Sequence, residues 1–284
     1  MTRLAAAALL AFSACGTRGS SRAATSASSI QGADPARGAA PAAAHIESPL
    51  TVATYNINFG NGHLSETVEA IAALDADIIL LQETTEASEA AIRARLSADF
   101  ADIRFHHCCR AGGLGVLSRY AISDAEVVPT DIGFFPAWWL RVRTPAGPVV
   151  LVDVHLRPPI SDSGSWLVGF FSTRGVRAEE IAALWAHLPQ GEPIIVAGDF
   201  NEEAKGGVAE FLRGKGLKPS LPQFAGNEPT WHWKVGATTL RMQLDHVTYS
   251  DTFEAVSAKV VRGGLSDHEP VVVELRRVSE AATL

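Results

Sequence analysis

Pro193-Ile194-Ile195-Val196-Ala197-Gly198-Asp199-Phe200-Asn201 is the stretch on which the fold turns. An apolar run this short, closed by Pro on one side and Gly on the other, reads as a strand buried on both faces. It then breaks into polar groups. Asp199 and Asn201 stand two positions apart, so both side chains would point to one side if the chain stays extended.

The same punctuation recurs outward from this strand. A strand over 51–58 carries Asn56 at its end, and the apolar run 77–82 leads into Glu83. Over 149–156 the pattern alternates, with Val150, Val152, Val154 and Leu156 on one face and Asp153 and His155 on the other. Downstream, the strand over 243–250 contains Asp245-His246, and Ser266-Asp267-His268-Glu269-Pro270 precedes a last strand over 271–275. Further strands are expected at 103–105, 114–117, 138–142 and 254–261, and helices at 66–74, 86–98 and 174–188. Strands outnumber helices and helices come at intervals, which suggests two packed sheets with helices outside. Side chains at strand ends can converge on one rim, where α/β folds commonly bind ligands.

The N-terminal stretch is of another kind. Thr2 and Arg3 precede an apolar run over 4–12, then Ser13-Ala14-Cys15, the order of an export signal. The run is shorter than the roughly 20 residues a spanning helix needs. Cys15 behind a small pair resembles a bacterial lipobox, with Phe12 where Leu is usual, and simple cleavage of the signal is the alternative. In residues 16–44, 23 of 29 are Ala, Gly, Ser, Thr or Pro, which reads as a flexible tether. The expected organisation is therefore a signal over 1–15, a tether over 16–48 and one domain over 49–284. Its expected location is the bacterial cell envelope, anchored through lipidated Cys15, or else secreted in soluble form.

The chain of 284 residues is 47% apolar with a formal charge of −7, which excludes a mainly disordered protein. Without the four basic and two acidic residues of 1–48, the domain carries 20 basic against 29 acidic residues. That balance argues against a protein that coats nucleic acid by bulk charge. Three cysteines are too few for a disulfide framework.

Asn, Glu and Asp offer hard oxygen ligands, which suit Mg²⁺, Mn²⁺ or Ca²⁺ better than zinc. Two histidines beside carboxylates can donate to an anion or move protons near neutral pH. The sequence has no HExxH, no paired CxxC, no GxSxG and no Walker loop. Metal-assisted attack of water on a phosphate ester fits this inventory best.

Seven segments stand in a fixed order: Thr54-Tyr55-Asn56-Ile57-Asn58, Leu81-Gln82-Glu83-Thr84, Gly115-Val116-Leu117-Ser118-Arg119, Val154-His155-Leu156, Gly198-Asp199-Phe200-Asn201, Leu244-Asp245-His246 and Ser266-Asp267-His268. In that order they resemble the endonuclease/exonuclease/phosphatase superfamily of deoxyribonuclease-like phosphoesterases, from about Thr51 to Val273. The resemblance implies a four-layer α/β/β/α sandwich with two mixed sheets packed face to face. It implies Glu83 as principal Mg²⁺ ligand, Asn56 beside it and Asp267 on the metal side. Asp199 would orient and deprotonate the attacking water, and Asn201 would hold a phosphate oxygen. His155 and His268 would flank the scissile phosphate, with Asp245 fixing the tautomer of His268. Arg119 and Arg157 are candidate phosphate contacts, with surface or structural pairing as their other reading. His246 alternates with Asp245 and should face the opposite way.

A phosphate-ester substrate is therefore expected, whether nucleic acid, nucleotide or phospholipid, turned over by a monomer. An exported nuclease and a sphingomyelinase-like lipid phosphodiesterase both stay open. A binding module that had lost catalysis on the same fold would carry substitutions at Glu83, Asp199 or His268, and all three are intact. Three features remain outside this scheme. His106-His107-Cys108-Cys109 lacks the second cluster a zinc site needs, and its two cysteines read equally as a disulfide or as thiols. The aromatic stretch 134–139 reads as core. The apolar stretch 166–171 reads as packing against the following helix, as a wall of the substrate site or as a contact with lipid.

Overall fold

A computed structural model describes residues 48–129, 134–159, 169 and 172–278. The expected signal, Cys15 and all of the expected tether but Ser48 lie outside these residues, as does the stretch 166–171 apart from Gly169.

Two six-stranded mixed sheets form the body of the domain. The first runs β13-β14-β1-β2-β4-β3 and the second β5-β6-β7-β8-β12-β9. The strands nearest the site are β1 (Leu50–Asn56), β2 (Ile78–Gln82), β7 (Gly147–His155), β8 (Ile194–Asp199) and β12 (Asp245–Tyr249). The rest are β3 (Asp102–His106), β4 (Leu114–Ser118), β5 (Ile122–Val128), β6 (Ala137–Thr144), β9 (Lys218–Pro219), β13 (Phe253–Val260) and β14 (Val271–Arg277). A separate hairpin joins β10 (Trp231–Val235) to β11 (Thr238–Met242).

Period-two alternation sorts the strand residues into layers. Val52, Ile78, Leu80, Val149, Leu151, Ile195, Ala197 and Val247 meet between the sheets. On the outer face of the first sheet, Ala53, Tyr55, Ile79 and Leu81 pack against Val68 and Ile71 of α1 (Leu64–Ala73) and Ile92 and Leu96 of α2 (Glu86–Leu96). On the outer face of the second, Val150, Val152, Val154 and Val196 receive Ile181 and Leu184 of α3 (Arg174–Trp185) and Val208 and Leu212 of α4 (Gly207–Gly214). A short helix, α5 (Leu221–Phe224), covers one end near β13. The result is the expected four-layer sandwich.

The alternation on β7 takes on a definite meaning here. Val150, Val152 and Val154 face the helices, whereas Asp153 and His155 point between the sheets and are buried. The interior changes from apolar to polar along each strand: Val52-Thr54-Asn56, Leu80-Gln82, Leu151-Asp153-His155 and Ala197-Asp199. Gln82 Nε2 donates to Asp153 Oδ1 at 2.6 Å and to Thr54 Oγ1 at 3.0 Å, tying the two sheets together just beneath the strand ends.

Candidate active site

Strand pairing brings the polar ends together. His155 lies opposite Asp199 in the parallel β7–β8 pair, and Asp245 lies opposite Asp199 in the antiparallel β8–β12 pair. Gly198 permits the close approach of β8 to β7. It has φ +143°, and a Cβ there would overlap the Val154 carbonyl oxygen. In the facing sheet Asn56 pairs with Gln82, and Glu83 follows with φ +60°, turning its carboxylate out of the strand direction. The chain past Glu83 is fixed by a capping box, in which Thr85 Oγ1 accepts from Ser88 N and Ser88 Oγ accepts from Thr85 N.

Asn56 holds the centre. Its Nδ2 donates to Glu83 Oε1 at 3.0 Å and to Asp199 Oδ2 at 3.1 Å, joining the two sheets across the site. Phe59 N donates to the other Glu83 oxygen at 3.0 Å. His155 Nδ1 donates to the Ala111 carbonyl at 3.0 Å, so its Nε2 is directed to Asp199 Oδ2 at 3.6 Å and Glu83 Oε1 at 3.9 Å. His268 Nδ1 donates to Asp245 Oδ2 at 2.8 Å, and its Nε2 lies 3.6 Å from the same Asp199 oxygen. Asp199 Oδ2 thus sits between two imidazole Nε2 atoms and one amide.

The electrostatics follow from this geometry. Burial lowers the affinity of His268 for a proton, but Asp245 and Asp199 outweigh it and push its pKa up to about 10. Burial raises the pKa of Asp199, and the neighbouring His268 counters it in part. A carboxylate raised in this way is a stronger base than a solvated one. His246 points to the outer layer, where Nε2 donates to the Glu202 carbonyl at 2.8 Å and burial lowers its pKa.

Other expected residues fall in and out of this cluster. Asp267 borders the same cavity, with Oδ1 accepting from Asn58 Nδ2 at 2.7 Å and Oδ2 from Trp231 Nε1 at 3.2 Å. Asn201 is there too, but not in extended form. Its φ is +50°, its backbone N donates to Asp199 Oδ1 at 2.8 Å, and its Nδ2 donates to the Leu156 carbonyl at 2.9 Å. The two-residue spacing therefore works through a tight turn rather than through alternation. Arg157 stands two residues past His155, its guanidinium 5.6 Å from the Phe134 ring centre, and it is not among the described residues that border the cavity. Arg119 is not brought here: it follows β4 at the far end of the sheet and pairs with Asp75 at 2.7 Å and Asp77 at 3.5 Å.

Several participants carry no sequence signal. Phe135 stacks on His155 with ring centres 4.4 Å apart, so the stretch 134–139 is core at Trp138 and Trp139 but site wall at Phe135. Ala111 acts through a backbone carbonyl. The cavity, about 200 Å³, has Glu83, Asp199, Asp267 and the two histidines at its base and Phe59, Trp231 and Trp233 on its walls.

This donor set fits a divalent cation. Glu83 and Asp199 direct carboxylate oxygens at one amide, and such convergent hard oxygens are what Mg²⁺ and its relatives bind. Among the described residues, Asp199, Asp245 and His268 also form a buried group with ligand atoms within 4.8 Å of one another. His268 is the weaker ligand of these, because Nδ1 is taken by Asp245 and the ring favours the cationic form.

Known proteins resemble this chain in sequence pattern and in fold. The model of the endonuclease/exonuclease/phosphatase family matches residues 53–268. No curated protein matches the sequence. An endonuclease/exonuclease/phosphatase from Beutenbergia cavernae shares 20% identity at a TM-score of 0.65, covering 81% of this chain and 72% of its own. A family protein from Bacteroides thetaiotaomicron shares 17% identity at a TM-score of 0.61, covering 81% and 98%. TDP2 of D. rerio, in complex with a single-strand DNA product, shares 15% identity at a TM-score of 0.62, covering 81% and 100%.

Proposed function

The chain belongs to the endonuclease/exonuclease/phosphatase family, whose members are metal-dependent hydrolases of phosphate esters, and on that premise we propose that it hydrolyses a phosphodiester by in-line attack of a water activated by Asp199. The observation that carries this is the position of Asp199 Oδ2, 3.6 Å from Nε2 of both His155 and His268. A base flanked by two imidazoles, one of them cationic, matches a reaction that removes a proton from water while negative charge grows on phosphate.

Glu83 would hold the cation, with Asp267 on the same side; Asn56, expected as a second ligand, instead turns its Nδ2 donor to Glu83 and so orients that carboxylate. Mg²⁺ is the ion of choice, with Mn²⁺ or Ca²⁺ as substitutes. Bound there, the cation supplies Lewis-acid stabilisation of phosphate charge. His268, kept cationic by Asp245, places a fixed N–H beside the phosphate. His155, aligned by Ala111 and Phe135, presents its Nε2 from the other side. Asn201 orders Asp199 through its backbone N–H and closes the turn beneath it.

The substrate is narrowed by the walls. Phe59 and Trp233 are 40% and 48% exposed at the cavity, and aromatic faces of this kind stack on bases or sit against acyl chains. A single-stranded nucleic acid or nucleotide is the first reading. A lipid phosphodiester is the second, favoured by exposed Phe134 and Leu265 on segments that also contribute cavity residues. Export with attachment through Cys15 and the tether over 16–48 belongs to the same proposal. Its support is the leader sequence together with the Cys108–Cys109 disulfide, a bond that persists in oxidising compartments. Among the described residues no helix is long and apolar enough to cross a membrane.

The test is a panel of single-stranded DNA, RNA, nucleotides, phosphoinositides and sphingomyelin vesicles, each with Mg²⁺ and with EDTA. Hydrolysis of at least one class, abolished by EDTA, is expected. Hydrolysis of none, or hydrolysis indifferent to EDTA, overturns the proposal.

A further inference from the structure

Cys108 and Cys109, adjacent in sequence, are joined by a disulfide. The bond sits between two anchors. On its N-terminal side His107 Nε2 meets Glu89 Oε2 of α2 at 2.6 Å. On its C-terminal side the chain passes through Cys109 and Arg110, with φ +34° and +64°, into one helical turn over Arg110–Gly112. Two successive non-glycine residues with positive φ are costly for a free chain and need local enforcement.

Just beyond the disulfide ring the chain touches the site directly. The Ala111 carbonyl accepts the Nδ1 proton of His155 at 3.0 Å. At Gly112 an added Cβ would meet Cys109 Sγ at 2.7 Å and Phe135 Cδ1 at 2.9 Å, so the sulfur and the ring close on the same glycine. Phe135 in turn lies on the His155 imidazole. Arg110 covers the Phe59 ring at 5.6 Å, and Phe59 N holds Glu83. The disulfide is thus a short covalent path from the acceptor that fixes the tautomer of His155 and in packing contact with the residues that fix its plane.

We propose that the Cys108–Cys109 disulfide is a positioning element for His155, and that its reduction releases the Ala111 carbonyl and slows the hydrolysis described above. The role in turnover rests on the phosphodiesterase reading; the effect on the His155 ring does not. The redox step needs a dithiol. One thiolate attacks a protein sulfur to form a mixed disulfide, and the second closes on the first. The protein gains two electrons and two protons as two thiols, and the dithiol leaves as a cyclic disulfide.

The experiment uses the full chain before and after dithiothreitol. Intact mass counts the thiols, ¹⁵N-detected imidazole spectra follow His155 (assigned with His155→Ala), and kcat and KM are measured on bis(p-nitrophenyl) phosphate with Mg²⁺. As purified, the protein should carry the bond. Reduction should shift the His155 Nδ1 resonance and lower kcat about tenfold, with KM little changed. The Cys108→Ser/Cys109→Ser variant should resemble the reduced protein with or without dithiothreitol. His155→Ala should be slow already and insensitive to reductant, because the two act through one contact. Thiols in the protein as purified, an unmoved His155 resonance, or an equal loss in His155→Ala overturns the proposal. The mass and the spectra need no turnover, so an enzyme inert toward every phosphate ester would sink the phosphodiesterase reading and still leave the positioning of His155 by the disulfide decided.

Discussion

His268 donates its Nδ1 proton to Asp245 Oδ2 at 2.8 Å, and both groups are buried. Asp245 stands directly opposite Asp199 in the β8–β12 pair, so two carboxylates share one imidazole from its two sides. Burial alone would empty the ring of its extra proton, but the two acids keep it there up to about pH 10.

That retention makes stability depend on pH with a definite sign. In the unfolded chain a histidine gives up its proton near pH ~6.5, whereas folded His268 keeps it to about 10. The contribution is complete below the lower value and is lost as pH rises toward the upper one. Thermal unfolding in EDTA should show Tm falling between pH 7 and pH 10, and Asp245→Asn should flatten that slope. An equally steep slope in the variant would remove the pair as its cause.

The same cluster predicts losses in rate. Asp199→Asn removes the base and His268→Ala removes a fixed donor, and each should lower kcat/KM by about 10²–10³ with Mg²⁺ present. Glu83→Gln should raise the Mg²⁺ concentration needed for half-maximal rate, because one carboxylate leaves the oxygen cluster around Asn56. Near-wild-type turnover in Asp199→Asn or His268→Ala is the outcome that excludes the mechanism.

A third prediction concerns Glu180 of α3. Its buried carboxylate accepts from Phe134 N at 2.7 Å and from Arg157 N at 2.9 Å, clasping the two segments on either side of the His155–Phe135 stack. Glu180→Gln leaves one acceptor oxygen for two N–H groups and should cost about 1–3 kcal/mol in urea unfolding. Glu180→Ala should cost more and also lower kcat. A stable, fully active Glu180→Ala would mean that the clasp is dispensable.

Much of this site is legible in the sequence because apolar runs stop where chemistry begins. Asn56, Glu83, His155 and Asp199 each close or follow such a run, and strand pairing then has few ways to place them. The missing parts are of two kinds. Ala111 contributes a carbonyl, which every residue has, and Phe135 and Trp231 reach the site through contacts between distant segments. Asn201 reaches the cavity by another geometry, since its positive φ replaces the extended chain that the spacing suggests. Arg119 stands apart because a residue one step past β4 lies at the opposite end of the strand from Gly115, whose neighbours approach the site. The hairpin of β10 and β11 and helix α4 escape a reading based on apolar runs. The hairpin is largely exposed and scatters its apolar residues among polar ones, and α4 opens on glycine.

Asp153 supplies the last prediction. It is wholly buried two residues before His155, with Oδ1 held by Gln82 Nε2 at 2.6 Å, while Oδ2 has no hydrogen-bond partner among the described residues. Burial raises its pKa well above that of a free aspartate, and Gln82 only partly opposes this. The folded state therefore binds a proton that the unfolded chain has released once pH exceeds ~3.9. Its contribution is present below that value and is lost as pH climbs toward the raised folded pKa. Asp153→Asn keeps the shape of the neutral acid and removes the titration. It should match the wild type near pH 4 and exceed it in Tm at pH 7–8, with the Gln82 contact intact. A variant less stable than the wild type at every pH would show that a charged carboxylate is required between the sheets.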